Sequence, residues 1–486
     1  MTIPPSAAQA LEIGSKQFSA QDQELFASLS FDRNPMHMDP VAARRLLTGR
    51  PVVHGIHVLL TALEHWINEQ ALTPTFLDCA FNNAINIEDI VAFKQRNRGN
   101  GLFVIEASVN GLLCAKLRIT ASKSESPPRE SIVRADPSAA GGESFLERVG
   151  TPLDEPPAHH LNQRYRVPAD AMNLDAYFPH ACHHLGSSRT AGLLALSYFV
   201  GMVCPGLNSI FSTVSLKLDE STPDIESIGF SVDQYDERFR LFHVSLEGSL
   251  CGHLTAFLRP SPQQQLTMAE VAKKVAPREF EGTRSLVIGA SRGLGEMTAK
   301  ILAAGGGKVT ISYAQGLTDI ETVNADINAS GLGTSDVLQL DVTSGNFGAI
   351  DFEALDAIYF FATPRIGRKK AGVFDSALFD EFIGFYVESL YKLCLHVEAT
   401  ALTRKVRIYV PSSVFIAERP DGMVEYAMAK AAAEVMIEDI NRTFRKVSIV
   451  ATRLPKLSTD QTSSVLKAST GDNLDALLPV VRVMTQ

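Results

Sequence analysis

The sequence is poor in the residues that mark disulfide-rich, zinc-binding and nucleic-acid-binding proteins. Its six cysteines among 486 residues form no C-x-x-C pair, which argues against a disulfide framework or a cysteine-based zinc site. Lysine and arginine number 45 against 54 aspartate and glutamate, a formal net charge of −9. This mild acidity argues against a broad nucleic-acid-binding surface.

Long apolar runs are also missing. The most apolar stretch, residues 191–207, contains Ser and Tyr and ends at Pro-Gly. It is shorter than the ~20 residues that a bilayer span requires, so it predicts a buried core helix. Residues 1–14 have neither a basic segment nor an apolar core, and no signal peptide is expected. We therefore expect a cytoplasmic protein without a membrane span.

The composition that remains is that of a globular protein, with 45% hydrophobic and 20% charged residues. The length allows about three domains of ~150 residues each. Two segments rich in Ser, Pro, Gln or Gly, 123–144 and 259–267, predict linkers. They divide the chain into regions 1–122, 145–258 and 280–486.

The first two regions contain an internal repeat. VNGLLCAKL (109–117) aligns with LEGSLCGHL (246–254), and HGIHVLLTAL (54–63) aligns with AGLLALSYFV (191–200), both at an offset of 137 residues. Two ungapped matches at one offset indicate a duplication. Each copy predicts a buried helix followed by strands, and Asn110-Gly111 is typical of a hairpin turn. The predicted unit is one helix wrapped by an antiparallel sheet.

The third region alternates strand and helix patterns. RSLVIGA, KVTISYA, DAIYFFA and VRIYVPSS predict strands, and EMTAKILAAGG predicts a helix after the first of them. This alternation favours a parallel α/β sheet.

Residues FDRNPMHMD (31–39) place an acid and an imidazole around an Asn-Pro turn. The segment could be a surface turn, because Asp, Asn and Pro all favour turns. With the following PVVHGIH (51–57), however, it resembles the MaoC-like (R)-specific enoyl-thioester hydratases, which have the hotdog fold. The resemblance covers most of residues 15–120 and, through the repeat, implies an α+β double hotdog to about residue 258. The family's usual Gly before the Asp is Phe31 here, which would reshape the pocket.

The resemblance implies an acid–base pair, Asp32 and His37, that acts on one water molecule. The turn at Asn34 and Pro35 would hold this pair. The backbone N–H of Gly55, at the start of the central helix, would stabilise the developing enolate oxygen.

The remaining histidines are interpreted as structural. This applies to His54 and His57, which are expected to have a structural role. The second copy has no D-x-N-P-x-H motif, so we expect it to shape the acyl pocket without chemistry of its own. Its FPHACHHLG segment (178–186) could suggest a metal site, but no second ligand cluster accompanies it, and no metal is expected.

The third region combines GASRGLG (289–295) with LDV (340–342), PSS (411–413) and YAMAK (426–430). Together these motifs resemble the short-chain dehydrogenase/reductase family over about residues 283–460 and imply an α/β Rossmann domain. The implied catalytic residues are Ser413, Tyr426 and Lys430. Tyr426 and Lys430 are four residues apart on one helix face, where the ammonium would lower the pKa of the phenol. The residues implied at the cofactor are Gly289, Ser291, Arg292, Gly293, Leu294, Gly295, Asp341, Val342, Ala362, Tyr426 and Lys430.

The sequence favours NADP(H) over NAD(H). ISYAQG (311–316) after the second strand lacks the acid that would bind a ribose 2′-hydroxyl, and Arg292 could meet a 2′-phosphate. The region also departs from its family. The usual Asn-Asn-Ala-Gly is Phe-Phe-Ala-Thr (360–363), the relay asparagine is Tyr386, and Pro-Gly is Pro-Lys at 455–456. A degenerate, cofactor-binding scaffold is the alternative to an active reductase.

The two resemblances imply consecutive reactions on an acyl thioester, carried by CoA or by acyl carrier protein. A 3-oxoacyl group would be reduced and the 3-hydroxyacyl product dehydrated in acyl-chain biosynthesis. The alternatives are hydration followed by oxidation in acyl breakdown, and a monofunctional hydratase with a scaffold domain. We expect a homo-oligomer that binds no nucleic acid.

Overall fold

The computed structural model describes residues 10–46, 49–66, 72–123, 144–145, 147–169, 173–218, 227–366, 374–400, 405–462 and 471–486. The chain forms two compact units, one of Met1–Ser261 with Ser464–Leu466 and one of Pro262–Ser463 with Lys467–Gln486. Most of the predicted linker 123–144 lies outside the described residues. Within these ranges no helix is both long and apolar enough to cross a membrane.

Within the described residues, the first unit contains eleven strands: β1 (Leu11–Gln17), β2 (Leu72–Phe81), β3 (Ile90–Asn97), β4 (Leu102–Val109), β5 (Leu112–Lys123), β6 (Ser144–Phe145), β7 (Arg164–Pro168), β8 (Ser209–Lys217), β9 (Ser227–Asp236), β10 (Leu241–Gly248) and β11 (Cys251–Leu258). Its helices are α1 (Ala20–Ser30), α2 (Pro35–Met38), α3 (Pro40–Ala43), α4 (Gly55–Glu64), α5 (Pro157–His160), α6 (Leu174–Tyr177), α7 (Pro179–Leu185) and α8 (Ser187–Tyr198). A π-helical turn, Phe199–Val203, continues α8, and a 3-10 turn follows at Gly206–Asn208.

These strands form one sheet in the order β1-β3-β4-β5-β2-β8-β11-β10-β9-β7-β6. The order of the first five strands recurs in β7, β9, β10, β11 and β8, in agreement with the internal repeat. The halves join where residues 76–80 of β2 pair antiparallel with residues 213–217 of β8. Both predicted copies therefore share a continuous sheet.

The local sequence explains the principal elements of each half. Asn110 and Gly111 both have positive φ, as a tight hairpin turn between β4 and β5 requires. Helices α4 and α8 correspond to the two aligned apolar segments, and most of their side chains are buried in one continuous core. The helix-and-sheet unit predicted from the repeat is thus present in both halves.

The second unit is an α/β layer structure. Its strands are β12 (Arg284–Ile288), β13 (Lys308–Tyr313), β14 (Thr334–Gln339), β15 (Ala357–Phe360), β16 (Val406–Ser413) and β17 (Val447–Leu454). Its helices are α9 (Met268–Val271), α10 (Gly293–Ala304), α11 (Leu317–Ala329), α12 (Ser376–Ile383), α13 (Ser389–Ala399), α14 (Phe415–Glu418), α15 (Val424–Thr443) and α16 (Asn473–Thr485). A π-helical turn, Gly384–Glu388, joins α12 to α13, and 3-10 turns lie at Val342–Ser344, Phe352–Ala354 and Asp460–Thr462.

All six strands are parallel, in the order β14-β13-β12-β15-β16-β17. This is the order of the dinucleotide-binding Rossmann fold, and the strand order reverses between β12 and β15. The four strands recognised in the sequence are all present. The motifs at 289–295, 340–342, 360–363 and 411–413 all lie at the carboxyl ends of strands, where ligands bind in such sheets.

Candidate active sites

The first candidate site is built on the turn that follows α1. Phe31 ends α1 in the left-handed conformation, and the carboxylate of Asp32 then turns inward, with the residue only 2% exposed. Asn34 caps α2 by accepting a hydrogen bond from the N–H of Met36, and Pro35 occupies the first helical position. The predicted turn therefore exists, but its acid is buried and does not lie on the surface.

The Asp32 carboxylate contacts the second half of the sheet. The hydroxyl of Ser197, on α8, donates a 2.8 Å hydrogen bond to Oδ2 of Asp32. A Cβ atom added to Gly201 would lie 2.2 Å from Oδ1, so only glycine fits there. Burial raises the pKa of Asp32 to about 7, although the hydrogen bond from Ser197 opposes this shift. Asp32 can therefore either hold or release a proton near neutrality.

His37 is held in one tautomer beside this acid. Its Nδ1 lies 2.7 Å from the carbonyl oxygen of Val52, which can only accept, so Nδ1 carries the proton and Nε2 has a free lone pair. Burial lowers the pKa of His37 to about 4, and the nearby charge of Arg259 acts in the same direction. His37 is thus neutral near pH 7.

His54, which the sequence analysis interprets as structural, is fully buried in the same cluster. Its ring stacks on that of His37 with centroids 3.8 Å apart, and its Nε2 donates to the backbone oxygen of Asp32 at 3.0 Å. Burial is the main cause of its lowered pKa. His54 therefore fixes the ring of His37 and the backbone of Asp32. His57 is a core residue as expected, since its ring stacks on Phe26.

Asn34 connects the turn to the second half. Its side-chain amide donates to the carbonyl oxygens of Gly201 at 2.7 Å and Gly206 at 3.0 Å. Because Asn34 is fully buried, this connection is shielded from water. It holds the π-helical turn Phe199–Val203 against the Asp32 carboxylate.

Gly55 begins α4, as the sequence predicts. His54 precedes it as the N-cap residue and makes no side-chain capping bond, which leaves first-turn N–H groups to other acceptors. A Cβ atom at Gly55 would lie 3.1 Å from the ring of Phe81. Any larger residue would have to displace that ring.

No metal is required to explain these groups. Among the described residues, Asp32, His37 and His54 form the one set of side chains with ligand atoms within 4.8 Å of one another. His54 Nε2 already donates to a carbonyl, however, so its lone pair is on Nδ1, and the acid is half protonated near pH 7. The spacing instead suits a water molecule or a substrate hydroxyl between Asp32 and His37.

The histidines of FPHACHHLG do not form a ligand cluster in the described residues. This segment is helix α7, whose first N–H groups, those of His180 and Ala181, bond to the carboxylate of Glu64. His184 packs against the ring of Trp66. The segment thus packs against α4.

The second candidate site begins at the glycine turn between β12 and α10. Gly289 and Gly293 have φ of +79° and +62°, and a Cβ atom at Gly295 would lie 2.2 Å from the carbonyl oxygen of Gly289. Helix α10 has no side-chain cap, so no capping side chain occupies the N–H groups of its first turn. This close-packed turn at a helix N-terminus fits the pyrophosphate of a dinucleotide. Ser291 and Leu294 belong to the same turn.

Arg292 is paired with an acid of this unit. Its guanidinium lies 3.4 Å from the carboxylate of Asp460, which also accepts a hydrogen bond from the N–H of Gln263. The segment after β13 carries no acid between residues 314 and 316. A 2′-phosphate at Arg292 would therefore compete with the carboxylate of Asp460. The segment 314–316 would add no acid that repels the phosphate.

The other predicted cofactor residues lie along the carboxyl edge of the sheet. Asp341 follows β14 and caps a 3-10 turn by accepting from the N–H of Thr343, and Val342 is buried. Ala362 follows β15, and its backbone nitrogen would lie 3.0 Å from a Cβ atom at Gly289. The glycine turn after β12 and the segment after β15 thus meet at the point where the strand order reverses.

Ser413, Tyr426 and Lys430 come together between β16 and α15, and all three are buried. Tyr426 and Ser413 share a side-chain hydrogen bond. Burial raises the pKa of Tyr426, whereas the sequence predicted that Lys430 would lower it. Lys430 does not act in this way because its Nζ donates to the carbonyl oxygen of Pro411 at 2.7 Å, and burial lowers its own pKa to about 7.

Tyr386 occupies the place predicted for a relay asparagine. The Nζ of Lys430 lies 3.8 Å from the centroid of the Tyr386 ring, and the Tyr386 hydroxyl is 2.5 Å from that of Thr363. Tyr386 lies within the π-helical turn Gly384–Glu388, a feature often found at functional sites. Thr363 and Tyr386, two of the noted departures, thus contact each other, and Tyr386 also contacts Lys430.

Sequence reasoning missed Ser197, Gly201 and Arg259 in the first site. Ser197 and Gly201 lie in the repeat copy that lacks the acid–base motif, and Arg259 lies in a segment predicted to be a linker. Arg259 is 4% exposed and donates to the carbonyl oxygen of Leu207. A signal was available for Gly201, since a glycine that interrupts an apolar helix often marks a close approach.

Comparison with known proteins identifies the first region. Residues 6–101 match the family described as MaoC like domain. A segment of 55 residues is 46% identical to the (R)-specific enoyl-CoA hydratase of Aeromonas caviae and covers 10% of this chain and 41% of that protein. The chain therefore carries a MaoC-like domain, as the D-x-N-P-x-H segment predicts.

Part of the third region is similar in sequence to a curated reductase. A segment of 62 residues is 45% identical to the 3-oxoacyl-[acyl-carrier-protein] reductase of Synechocystis sp., and it covers 13% of this chain and 25% of that protein. A short chain dehydrogenase of Burkholderia cenocepacia, solved in complex with NADP, aligns with 42% of this chain and 91% of its own at 23% identity and a TM-score of 0.36. The chain covers less than half the length of each of the two curated relatives.

Proposed function

We propose that the chain is a bifunctional enzyme of acyl-chain biosynthesis. Its second unit would reduce a 3-oxoacyl thioester with NADPH, and its first unit, a double hotdog, would dehydrate the resulting (R)-3-hydroxyacyl thioester. The observation that carries the proposal is the buried pair of Asp32 and His37. The acid has its pKa raised to about 7 and the imidazole its pKa lowered to about 4, beside the N-terminus of α4.

The pair can serve the reaction in both directions. In hydration, the Nε2 lone pair of His37 takes a proton from water as its oxygen bonds to the β-carbon, and the Asp32 carboxyl gives its proton to the α-carbon. Dehydration starts from the form of the pair in which the proton is on His37 and not on Asp32, a minor form near pH 7 because the pKa of His37 is about 4 and that of Asp32 about 7. From this form, the Asp32 carboxylate removes the α-proton and the protonated His37 gives its proton to the departing hydroxyl. Counted over both side chains, the pair holds one titratable proton before and after each complete reaction. The N–H of Gly55 would stabilise the enolate oxygen that forms between the two transfers.

The second unit offers groups for ketone reduction. A bound NADPH would supply a hydride. The phenol of Tyr426 is protonated at neutral pH because burial raises its pKa, so it can give its proton to the carbonyl oxygen, which Ser413 would hold. Lys430 would reach the phenolate that remains only after its Nζ leaves the carbonyl oxygen of Pro411. The glycine turn would bind the pyrophosphate and Arg292 the 2′-phosphate.

The same residues would allow the reverse sequence, hydration and then oxidation in acyl breakdown. NADPH favours the reductive direction, because biosynthetic reductions commonly use it, and this preference rests on Arg292. A monofunctional hydratase is the second candidate. It is favoured by the contact of Lys430 with Tyr386, which draws the ammonium toward a residue other than Tyr426.

The hydratase assignment predicts that the protein hydrates crotonyl-CoA. The reaction is measured as the loss of the enoyl absorbance. Asp32→Asn and His37→Ala should each lower kcat by roughly 10²-fold or more, the scale of lost acid–base catalysis. His183→Ala, at an exposed histidine of α7, is the matched control and should keep full activity. Folded Asp32→Asn and His37→Ala proteins that retain wild-type turnover would show that the site is wrongly assigned.

The cofactor assignment predicts that NADPH binds more tightly than NADH, measured by fluorescence titration of the full chain. Arg292→Ala should weaken NADPH binding roughly tenfold and leave NADH binding nearly unchanged, because one charge-assisted contact is lost. Asp460→Asn should strengthen NADPH binding, since the competing carboxylate is removed. Equal affinities for the two nucleotides in the wild-type protein would overturn this assignment.

A further inference from the structure

Arg259 is a buried cation for which the proposed mechanism has no use. It follows β11, and the residue is 4% exposed. A buried charge is costly unless other groups of the protein stabilise it. The contacts of Arg259 therefore show which part of the molecule its charge holds and affects.

The first of these contacts fix the 3-10 turn Gly206–Asn208. Nη2 of Arg259 donates a 2.6 Å hydrogen bond to the carbonyl oxygen of Leu207, and its backbone N–H donates to the carbonyl oxygen of Asn208 at 2.8 Å. Hydrogen bonds from a charged donor are stronger than those between neutral groups. Arg259 thus holds two successive carbonyl groups of this turn.

The same turn receives the side chain of Asn34. The Asn34 amide donates to the carbonyl oxygen of Gly206 at 3.0 Å and, at 3.4 Å, to that of Leu207, which is also the acceptor of Arg259. Asn34 caps α2, the helix that carries His37. The guanidinium is therefore connected to the acid–base turn through one shared carbonyl oxygen.

The charge of Arg259 is only weakly compensated. Among the described residues, its buried Nε has no hydrogen-bond partner. The carboxylate of Asp154 acts on the guanidinium, but Asp154 is exposed, and solvent screens exposed charges. Burial lowers the pKa of Arg259 to about 10, so the side chain is still cationic at neutral pH.

His37 is the group of the site on which this cation acts. The side chains of Asp32 and His54 have ligand atoms within 4.8 Å of those of His37, and the charge of Arg259 acts on it from the segment after β11. Burial raises the pKa of Asp32 to about 7 and lowers that of His54 well below its usual value, so both are uncharged at pH 5. Of these three neighbours, Arg259 is the one that is charged there.

We propose that Arg259 is a positioning residue of the first site, which fixes the turn that receives Asn34 and by its charge keeps His37 neutral and able to accept a proton. The inference rests on the proposed hydratase function. A positive charge opposes protonation of a nearby imidazole. The second half, which lacks the acid–base motif, thereby sets the lower pH limit of the hydration reaction.

Two variants of the full chain separate the charge of Arg259 from its hydrogen bond. Arg259→Gln removes the charge but keeps a side-chain donor, whereas Arg259→Lys keeps both the charge and a donor. Arg238→Gln is the matched control, because Arg238 is exposed on the turn between β9 and β10. The measured quantity is the ratio of kcat for crotonyl-CoA hydration at pH 5 to that at pH 7.

Hydration needs neutral His37, so its rate falls as pH decreases through the pKa of His37, which burial and Arg259 lower to about 4. In Arg259→Gln this fall should occur about one pH unit higher, the scale of a removed neighbouring charge, and the ratio should drop roughly twofold. Arg259→Lys and Arg238→Gln should keep the wild-type ratio. A folded Arg259→Gln protein with the wild-type ratio would overturn the inference, because a residue that only fixes the turn does not move the pH dependence.

The titration of His37 itself separates this inference from the proposed function. In protein labelled with carbon-13 at histidine Cε1, the NMR signal that is missing in His37→Ala reports the protonation of His37 without any turnover. This signal should titrate at higher pH in Arg259→Gln than in the wild-type protein. If the wild-type protein hydrates no enoyl thioester, the proposed function fails, and equal titration in the two proteins would then reject the inference as well.

A second variant decides if thermal unfolding shows that Arg259→Gln is not folded. Asp154→Asn removes the carboxylate that opposes Arg259 and keeps the oxygen that accepts from Asn208. His37 should then titrate at lower pH than in the wild-type protein, because the cation acts on it without opposition. An unchanged titration would reject the inference.

Discussion

Ser197 moderates the effect of burial on the pKa of Asp32. Its hydroxyl is the side-chain donor to Oδ2, and this bond lowers the pKa of Asp32 against the larger effect of burial. Hydration needs the protonated acid, so its rate should fall as pH rises through the pKa of Asp32, near 7. Any change that raises this pKa should extend hydration to higher pH.

Ser197→Ala should therefore shift the alkaline limb of the pH–kcat profile for crotonyl-CoA hydration upward. The rate itself should fall roughly tenfold, because the acid loses the contact that orients it. Ser188→Ala is the control, since its buried hydroxyl on the same helix has no hydrogen-bond partner. A lower rate with an unshifted profile would mean that Ser197 has a packing role only.

The π-helical turn Phe199–Val203 is the element that completes the first site. It widens the last turn of α8 so that Gly201 reaches the Asp32 carboxylate and its carbonyl reaches Asn34. Local propensity for α-helix does not produce such a turn. It forms where tertiary contacts outweigh the regular hydrogen-bond pattern.

Gly201→Ala should abolish hydratase turnover, by 10²-fold or more, because the new methyl group and the Asp32 oxygen cannot both keep their positions. NADPH binding should be unchanged, because the cofactor would bind the second unit. An unchanged thermal unfolding profile of the full chain verifies that the first unit is folded. Gly150→Ala is the control, since an added Cβ there meets no atom within 4 Å. Wild-type hydration by Gly201→Ala would show that Asp32 can move without loss.

Much of each element could be predicted from sequence because the signals are local. Asn110 and Gly111 specify a hairpin turn by their tolerance of positive φ, and the 426–430 motif specifies one face of α15. The contacts of Asp32 with Ser197 and of Phe31 with Arg148 could not be predicted from sequence, because they join residues more than 100 positions apart. The pKa values of Asp32 and Lys430 could not be predicted from sequence either, since their shifts depend on burial rather than on residue type.

At the scale of the whole molecule, the two candidate sites share no residue. Tyr426→Phe should abolish reduction of a 3-oxoacyl thioester and leave crotonyl-CoA hydration intact, while His37→Ala should do the reverse. Both assays use the full chain, so each variant serves as the other's folding control. The wild-type protein could also bind NADPH but reduce no 3-oxoacyl thioester on CoA or on carrier protein. That result would show that the second unit is a non-catalytic scaffold.

The β2–β8 pairing has a consequence for how the two halves could have diverged. A chain cut after residue 123 would leave β2 as an open edge, and two such fragments could pair through their β2 strands about a twofold axis. At the repeat offset of 137 residues, each fragment would then present Leu60 where the full chain presents Ser197. Such a symmetric dimer would contain two acids and no hydroxyl to orient either. Fusion of the copies thus permits a division of labour, in which one half keeps the acid and the other evolves its hydrogen-bond donor.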